Sequence, residues 1–148
     1  MADRTESSIV VDAKAGDVLD VIADFEAYPE WTGAVREAEV LEEDEGGWAR
    51  QVRFVLDAGA LRDTYTLAYT WDVDEDGTGT VSWTLVEATI LKAMEGSYRL
   101  APRDAGSTEV TYTLSVEVKM PMLGMLRRKA EKTIIDTALK ELKKRVER

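Results

Sequence analysis

From Val35 to Met120 apolar and polar residues alternate with a period of two, and four Asp/Gly-rich breaks punctuate the run: Asp44-Glu45-Gly46-Gly47, Asp57-Ala58-Gly59, Asp74-Glu75-Asp76-Gly77 and Asp104-Ala105-Gly106. Period two is the repeat of a strand whose two faces meet different surroundings. Glycine accepts a positive φ and aspartate bonds nearby backbone N–H groups, so each break reads as a reversal between antiparallel neighbours. A further break over Thr89 to Met94 brings the prediction to a meander of six strands. One face collects Trp48, Val52, Phe54, Leu56, Leu61, Tyr65, Leu67, Tyr69, Trp71, Val81, Trp83, Leu85, Tyr98, Leu100, Tyr112 and Leu114; the other carries Thr64, Thr70, Ser82, Thr84, Arg99 and Thr113. That is a sheet wetted on one side.

The flanks change period. Glu6 to Val11 reads as a short first strand, and Val18, Val21, Ile22 and Phe25 fall at i, i+3, i+4 and i+7 on one face of a helix from about Ala15 to Asp24. Pro29 disfavours helical geometry at Tyr28, which predicts a break or a second short helix before Trp31. After Met120 the period is helical again, Pro121 suits a first turn, and Leu123, Leu126, Ala130, Ile134, Ala138 and Leu142 make the stripe expected to cover the aromatic face. The expectation is one α+β domain over residues 1–148: a curved antiparallel sheet of six to seven strands around a long C-terminal helix, with two short helices after the first strand. A helix about 10 Å across does not fill the concavity of a sheet that wide, so a cavity is expected between them. Gly96, Ala130 and Ala138, small residues on inward positions, favour open space there.

Composition removes several chemistries. The chain has no cysteine and no histidine, so thiolate nucleophiles, thiolate zinc sites and the commonest general base are all missing, and neither metal nor cofactor is expected. A formal charge of −10 argues against nucleic-acid binding, which needs a basic footprint. The charge is uneven: residues 121–148 carry nine Lys/Arg against four Asp/Glu, and the rest carry ten against twenty-five. No run reaches the length of a membrane span, which implies no integral membrane association. The polar start, Met1 to Ser8, lacks the pattern of a secretory leader. A cytoplasmic protein is therefore expected; its oligomeric state is left open.

The order strand, two helices, meander, long helix resembles the helix-grip superfamily of Bet v 1-like and START domains. It is most similar to the bacterial polyketide cyclase/dehydrase and lipid-transport (SRPBCC) proteins, through Phe25-Glu26-Ala27-Tyr28-Pro29-Glu30-Trp31, Val81-Ser82-Trp83-Thr84-Leu85-Val86-Glu87 and Gly96-Ser97-Tyr98-Arg99-Leu100. The resemblance implies binding or transport of a hydrophobic small molecule of lipid, polyketide or quinone type in an internal cavity. The alternatives are a cyclase, aromatase or dehydrase-type enzyme and a protein-interaction or stress-response module.

Candidate site residues follow from face and phase. Tyr65, Tyr69, Trp83, Tyr98 and Tyr112 share the inward face, where tyrosine hydroxyls would meet a ligand carbonyl or hydroxyl. Asp63 and Glu87 have inward parity, and without a bulge Glu87 would sit roughly opposite Tyr65; a carboxylate in an apolar pocket is a candidate acid or base. Arg127 and Glu131, four apart on the last helix and in the arc of Ile134 and Ala138, make either a surface ion pair or a polar anchor at the cavity's mouth. Met120, Met122 and Met125 offer flexible thioethers that adapt to ligand shape or fill gaps. Phe25, Tyr28, Pro29 and Trp31 frame the mouth or form a structural corner.

Overall fold

The computed structural model describes residues 4–57, 62–119 and 124–148, with side chains from Arg127 onward in the last segment. The elements are β1 (Thr5–Val11), α1 (Ala15–Ala23), a 3₁₀ turn (Phe25–Ala27), α2 (Tyr28–Trp31), β2 (Val35–Glu43), β3 (Ala49–Asp57), β4 (Arg62–Val73), β5 (Gly79–Ala88), β6 (Leu91–Asp104), β7 (Ser107–Val118) and α3 (Gly124–Glu147). All seven strands form one antiparallel sheet in the order β1-β7-β6-β5-β4-β3-β2. The meander runs as the alternation predicts, and β1 closes the sheet by pairing with β7, from Thr5 opposite Leu114 to Val11 opposite Thr108.

The turns at Asp44 to Gly47 and Asp74 to Gly77 form for the reasons given; at Asp104 the side chain accepts the Gly106 N–H without a positive φ, and Ala58, Gly59 and Leu61 lie outside the described residues. Asp44 Oδ1 accepts from the N–H of Gly46 and of Trp48, while Gly47 holds φ +85°. Gly77, at φ +91°, is buried where the β4–β5 hairpin abuts the start of α1; a Cβ there would lie 2.5 Å from the Gly16 nitrogen. The short helices plug the sheet through Phe25, 1% exposed, whose ring lies 4.8 Å from that of Tyr69 and 6.1 Å from that of Phe54. The cluster at Phe25 is thus a core plug, and only Tyr28 and Trp31 of that corner reach the cavity.

The register of β4 on β5 departs from the simple hairpin. Leu67 faces Leu85 but Thr66 faces Glu87, so β5 carries one extra residue at Val86, and Ala88 rather than Glu87 stands opposite Tyr65. A bulge reverses the facing of every later residue in its strand. Val86 and Glu87 are accordingly exposed.

The last helix buries Leu142 of the predicted stripe and turns Ala130, Ile134 and Ala138 aside. Its core-facing residues are Ile135, Leu139 and Leu142, all at most 2% exposed, together with Glu131, whereas Ile134 and Ala138 are half-buried and Ala130 is exposed. Among the described residues, the helix packs mainly on β1, β7 and α1, at one end of the sheet. Leu123 lies outside the described residues, as does the side chain of Leu126.

Candidate functional site

Because α3 lies over β1 and β7, the aromatic face of the neighbouring strands borders open space, a cavity of about 600 Å³. Its floor is built from alternate residues of β4 to β7, among them Tyr65, Tyr69, Trp83, Tyr98 and Tyr112; one flank of α3, with Ala130, Ile134 and Ala138, forms the other wall. The rim is more polar, with Thr32 and Gly33 after α2, Asp57 at the end of β3, and Lys129, Thr133 and Glu141 on α3.

All five tyrosines of the chain line this cavity. The Tyr28 hydroxyl donates to the Ile22 carbonyl at 2.5 Å. The hydroxyls of Tyr65, Tyr69, Tyr98 and Tyr112 have no hydrogen-bond partner among the described residues, and none of them is sealed from solvent. Burial pushes every one of the five phenols above its ordinary value of 10.0, with neighbouring phenols adding to the effect for Tyr28, Tyr65, Tyr69 and Tyr98. At neutral pH the cavity therefore presents uncharged O–H groups, each able to donate and to accept. The rings hold one another in place: Tyr98 and Tyr112 lie 4.6 Å apart, and Trp83 lies 5.8, 5.5 and 5.6 Å from Tyr69, Tyr98 and Tyr112.

The carboxylates that sequence reasoning placed near the ligand are employed elsewhere. Asp63, 7% exposed, accepts the N–H groups of Thr89, Ile90 and Leu91 at 3.0, 3.0 and 2.8 Å, and so holds the β5–β6 turn. Glu131, 1% exposed, accepts the Thr5 hydroxyl at 2.7 Å and the Val116 N–H at 2.6 Å. It is a clasp between α3, β1 and β7 and does not border the cavity; among the described residues, no ion pair joins it to Arg127. Arg127 is half-buried, also away from the cavity lining, and its Nε is sealed from solvent with no partner among the described residues. Glu87 is turned to solvent by the bulge. Met120 and Met122 lie outside the described residues, as does the side chain of Met125.

Gly96 also differs from expectation. A Cβ at this position would lie 2.5 to 2.8 Å from three atoms of the Trp83 indole, so the space above the glycine is filled by that ring. Ala138 does border the open volume.

Several rim residues were not foreseen. Glu141 accepts the Thr32 hydroxyl at 3.1 Å and the Gly33 N–H at 3.2 Å, tying α3 to the segment after α2, and Arg145 pairs with Glu30 at 3.2 Å beside it. Asp57 pairs with Arg36 and Arg62, both at 3.2 Å. The sequence signal for the first tie is the helical spacing Glu141, Ala138, Ile134, which places the carboxylate on the cavity flank. Among the described residues, no group of three or more metal-ligating side chains converges, and no helix is long and apolar enough to cross a membrane.

Known structures share this architecture along the full chain. A START superfamily protein from Mycobacterium smegmatis superposes with TM-score 0.89 at 23% identity, covering 97% of each chain. The Zhui aromatase/cyclase from Streptomyces sp. R1128 gives TM-score 0.80 at 22% identity, covering 100% of this chain and 95% of that one. A protein from Thermus thermophilus gives TM-score 0.77 at 21% identity, covering 97% of each. At these identities the likeness establishes the helix-grip fold alone. Comparison with curated proteins finds no match. The family model described as polyketide cyclase/dehydrase and lipid transport matches residues 11–143, nearly the whole chain, and the protein belongs to that family.

Proposed function

We propose that the protein binds and carries a neutral hydrophobic small molecule bearing hydrogen-bond acceptors, of lipid, polyketide or quinone type, in the cavity under α3. The observation that carries this reading is the set of four tyrosine hydroxyls without partners among the described residues, on walls that are otherwise aromatic and aliphatic. Apolar walls favour an apolar body, and a hydroxyl with no protein partner, open to the cavity, is free to donate to a ligand that supplies an acceptor. Several such hydroxyls on neighbouring strands favour a ligand with more than one oxygen function.

The lining supports a carrier better than a cyclase or dehydrase-type enzyme. Acid–base chemistry needs a positioned base, and phenols held protonated by burial supply acids only. The carboxylates that border the cavity, Asp57 and Glu141, are engaged at its rim. The reading as an interaction module has less support, since Lys132, Lys143 and Arg145 on α3 pair with Asp136, Glu147 and Glu30.

The test compares naphthoquinone with naphthalene, rings of equal size with and without acceptors. We expect the wild type to prefer the quinone by about fivefold to tenfold, the worth of roughly one net hydrogen bond. Tyr98→Phe and Tyr112→Phe should reduce that preference while leaving naphthalene binding in place. Equal affinity for both ligands in wild type would contradict the reading.

A further inference from the structure

At the centre of β6 stands a glycine where a strand ordinarily places a side chain. Gly96 pairs with Trp83 on β5 and with Leu114 on β7, in the middle of the sheet and away from any edge. Glycine inside a strand is unfavourable through its backbone entropy, and it marks a place where something comes close to the backbone. Here the visitor is the Trp83 indole: Cζ2, Cε2 and Nε1 would lie 2.5, 2.6 and 2.8 Å from a Cβ at residue 96. The ring comes this close to β6 because residue 96 has no side chain to hold it off.

The position of that ring matters to the cavity. Trp83 forms part of the floor, and three of the tyrosines whose rings also form it, Tyr69, Tyr98 and Tyr112, surround the indole. A methyl group at residue 96 needs carbon contacts of about 3.5 to 4.0 Å, so the indole would have to rise by roughly an ångström. Tyrosines block it sideways and the sheet lies beneath, which leaves the open volume as the direction of movement. We propose that Gly96, by letting the Trp83 indole sit close against the sheet, sets the depth of the cavity and so the largest ring system the protein accepts. Gly96 is a specificity-determining residue that acts through Trp83 and touches no ligand itself. The inference rests on the reading of the cavity as a binding site and adds what limits ligand size there.

The experiment uses the full-length protein and two neutral probes, naphthol and hydroxypyrene, with affinity and thermal midpoint measured for each variant. Gly96→Ala should weaken hydroxypyrene roughly tenfold or more, the effect of one misplaced methylene in an apolar pocket, while naphthol changes far less. The double variant Gly96→Ala/Trp83→Phe, in which a smaller ring restores the space, should recover hydroxypyrene binding. Recovery distinguishes a shape effect from general damage to the strand. Trp83→Phe alone should move the preference toward the larger probe, and it carries the test if Gly96→Ala does not fold. Wild type that binds both probes, with a size preference unchanged in Gly96→Ala and in Trp83→Phe, would overturn this inference and leave the binding reading standing. Wild type that binds neither probe would overturn the binding reading and this inference with it.

Discussion

Glu131 accepts a backbone N–H that the sheet itself leaves without a partner. The β1–β7 pairing ends at Thr5 opposite Leu114, so the Val116 N–H, two residues further along β7, extends past the last rung of β1. The Glu131 carboxylate takes its place and holds the Thr5 hydroxyl with its other oxygen. A buried donor left unmade costs more than the bond is worth when formed. Glu131→Leu should therefore lower stability by about 2 to 4 kcal/mol in urea unfolding, and Glu131→Gln, which keeps one acceptor for Val116, by about 1 kcal/mol. Equal, small effects for both would show that the clasp contributes little. The inward parity of Asp63 was legible in the sequence, whereas Glu131, read into the arc of Ile134 and Ala138, faces the core beside Ile135. The roles of the two were not legible, because the N–H groups they satisfy are orphaned by the length of β1 and by the tight turn after β5, which are products of tertiary pairing.

At the scale of elements, α3 shows what a periodic stripe decides and what it does not. Two adjacent rows are available on this helix: Ala130, Ile134 and Ala138, and Ile135, Leu139 and Leu142. Periodicity alone gives them similar standing, and the predicted stripe takes the first row together with Leu142 of the second. The structure buries the second against β1, β7 and α1 and turns the first to the cavity, a rotation consistent with the Glu131 clasp. The expected consequence is an asymmetry between neighbours. Ile135→Ala should cost about 2 to 5 kcal/mol, as for a fully buried isoleucine, and Ile134→Ala distinctly less, because its side chain already borders open volume. Chemical denaturation of the two variants checks this; a larger loss at Ile134 would place the helix in the other phase. The meander, by contrast, was readable strand by strand, since the Asp-led turns at Asp44, Asp74 and Asp104 supply their own local geometry. The bulge at Val86 was not, having no glycine or proline to announce it.

For the whole molecule, the consequence of gathering every tyrosine into one cavity is a specific pH response. Each phenol has its folded-state value raised above 10.0 by burial. A raised value favours the protonated form in the folded state, so this contribution is fully present below about pH 10 and is lost as pH rises toward the folded-state values. Stability should be insensitive to these groups from neutral pH to about 10 and fall above it, with tyrosinate absorbance appearing together with loss of structure. Tyrosines that ionise near pH 10 in the folded protein would contradict their enclosure. The meander and the inward aromatic face were legible from the sequence, but the place of β1 beside β7, and the choice between a filled core and an open cavity, depended on tertiary pairing and on where α3 lies across the sheet. That choice is tested most directly by calorimetric titration of naphthoquinone into wild type and Ala138→Phe, with thermal stability measured beside it. Filling a real void costs little, whereas overpacking a filled core costs about 1 to 3 kcal/mol. We expect saturable binding to wild type and weakened binding to Ala138→Phe at nearly unchanged stability; no binding to wild type together with strong destabilisation of Ala138→Phe would mean that the interior is solid core.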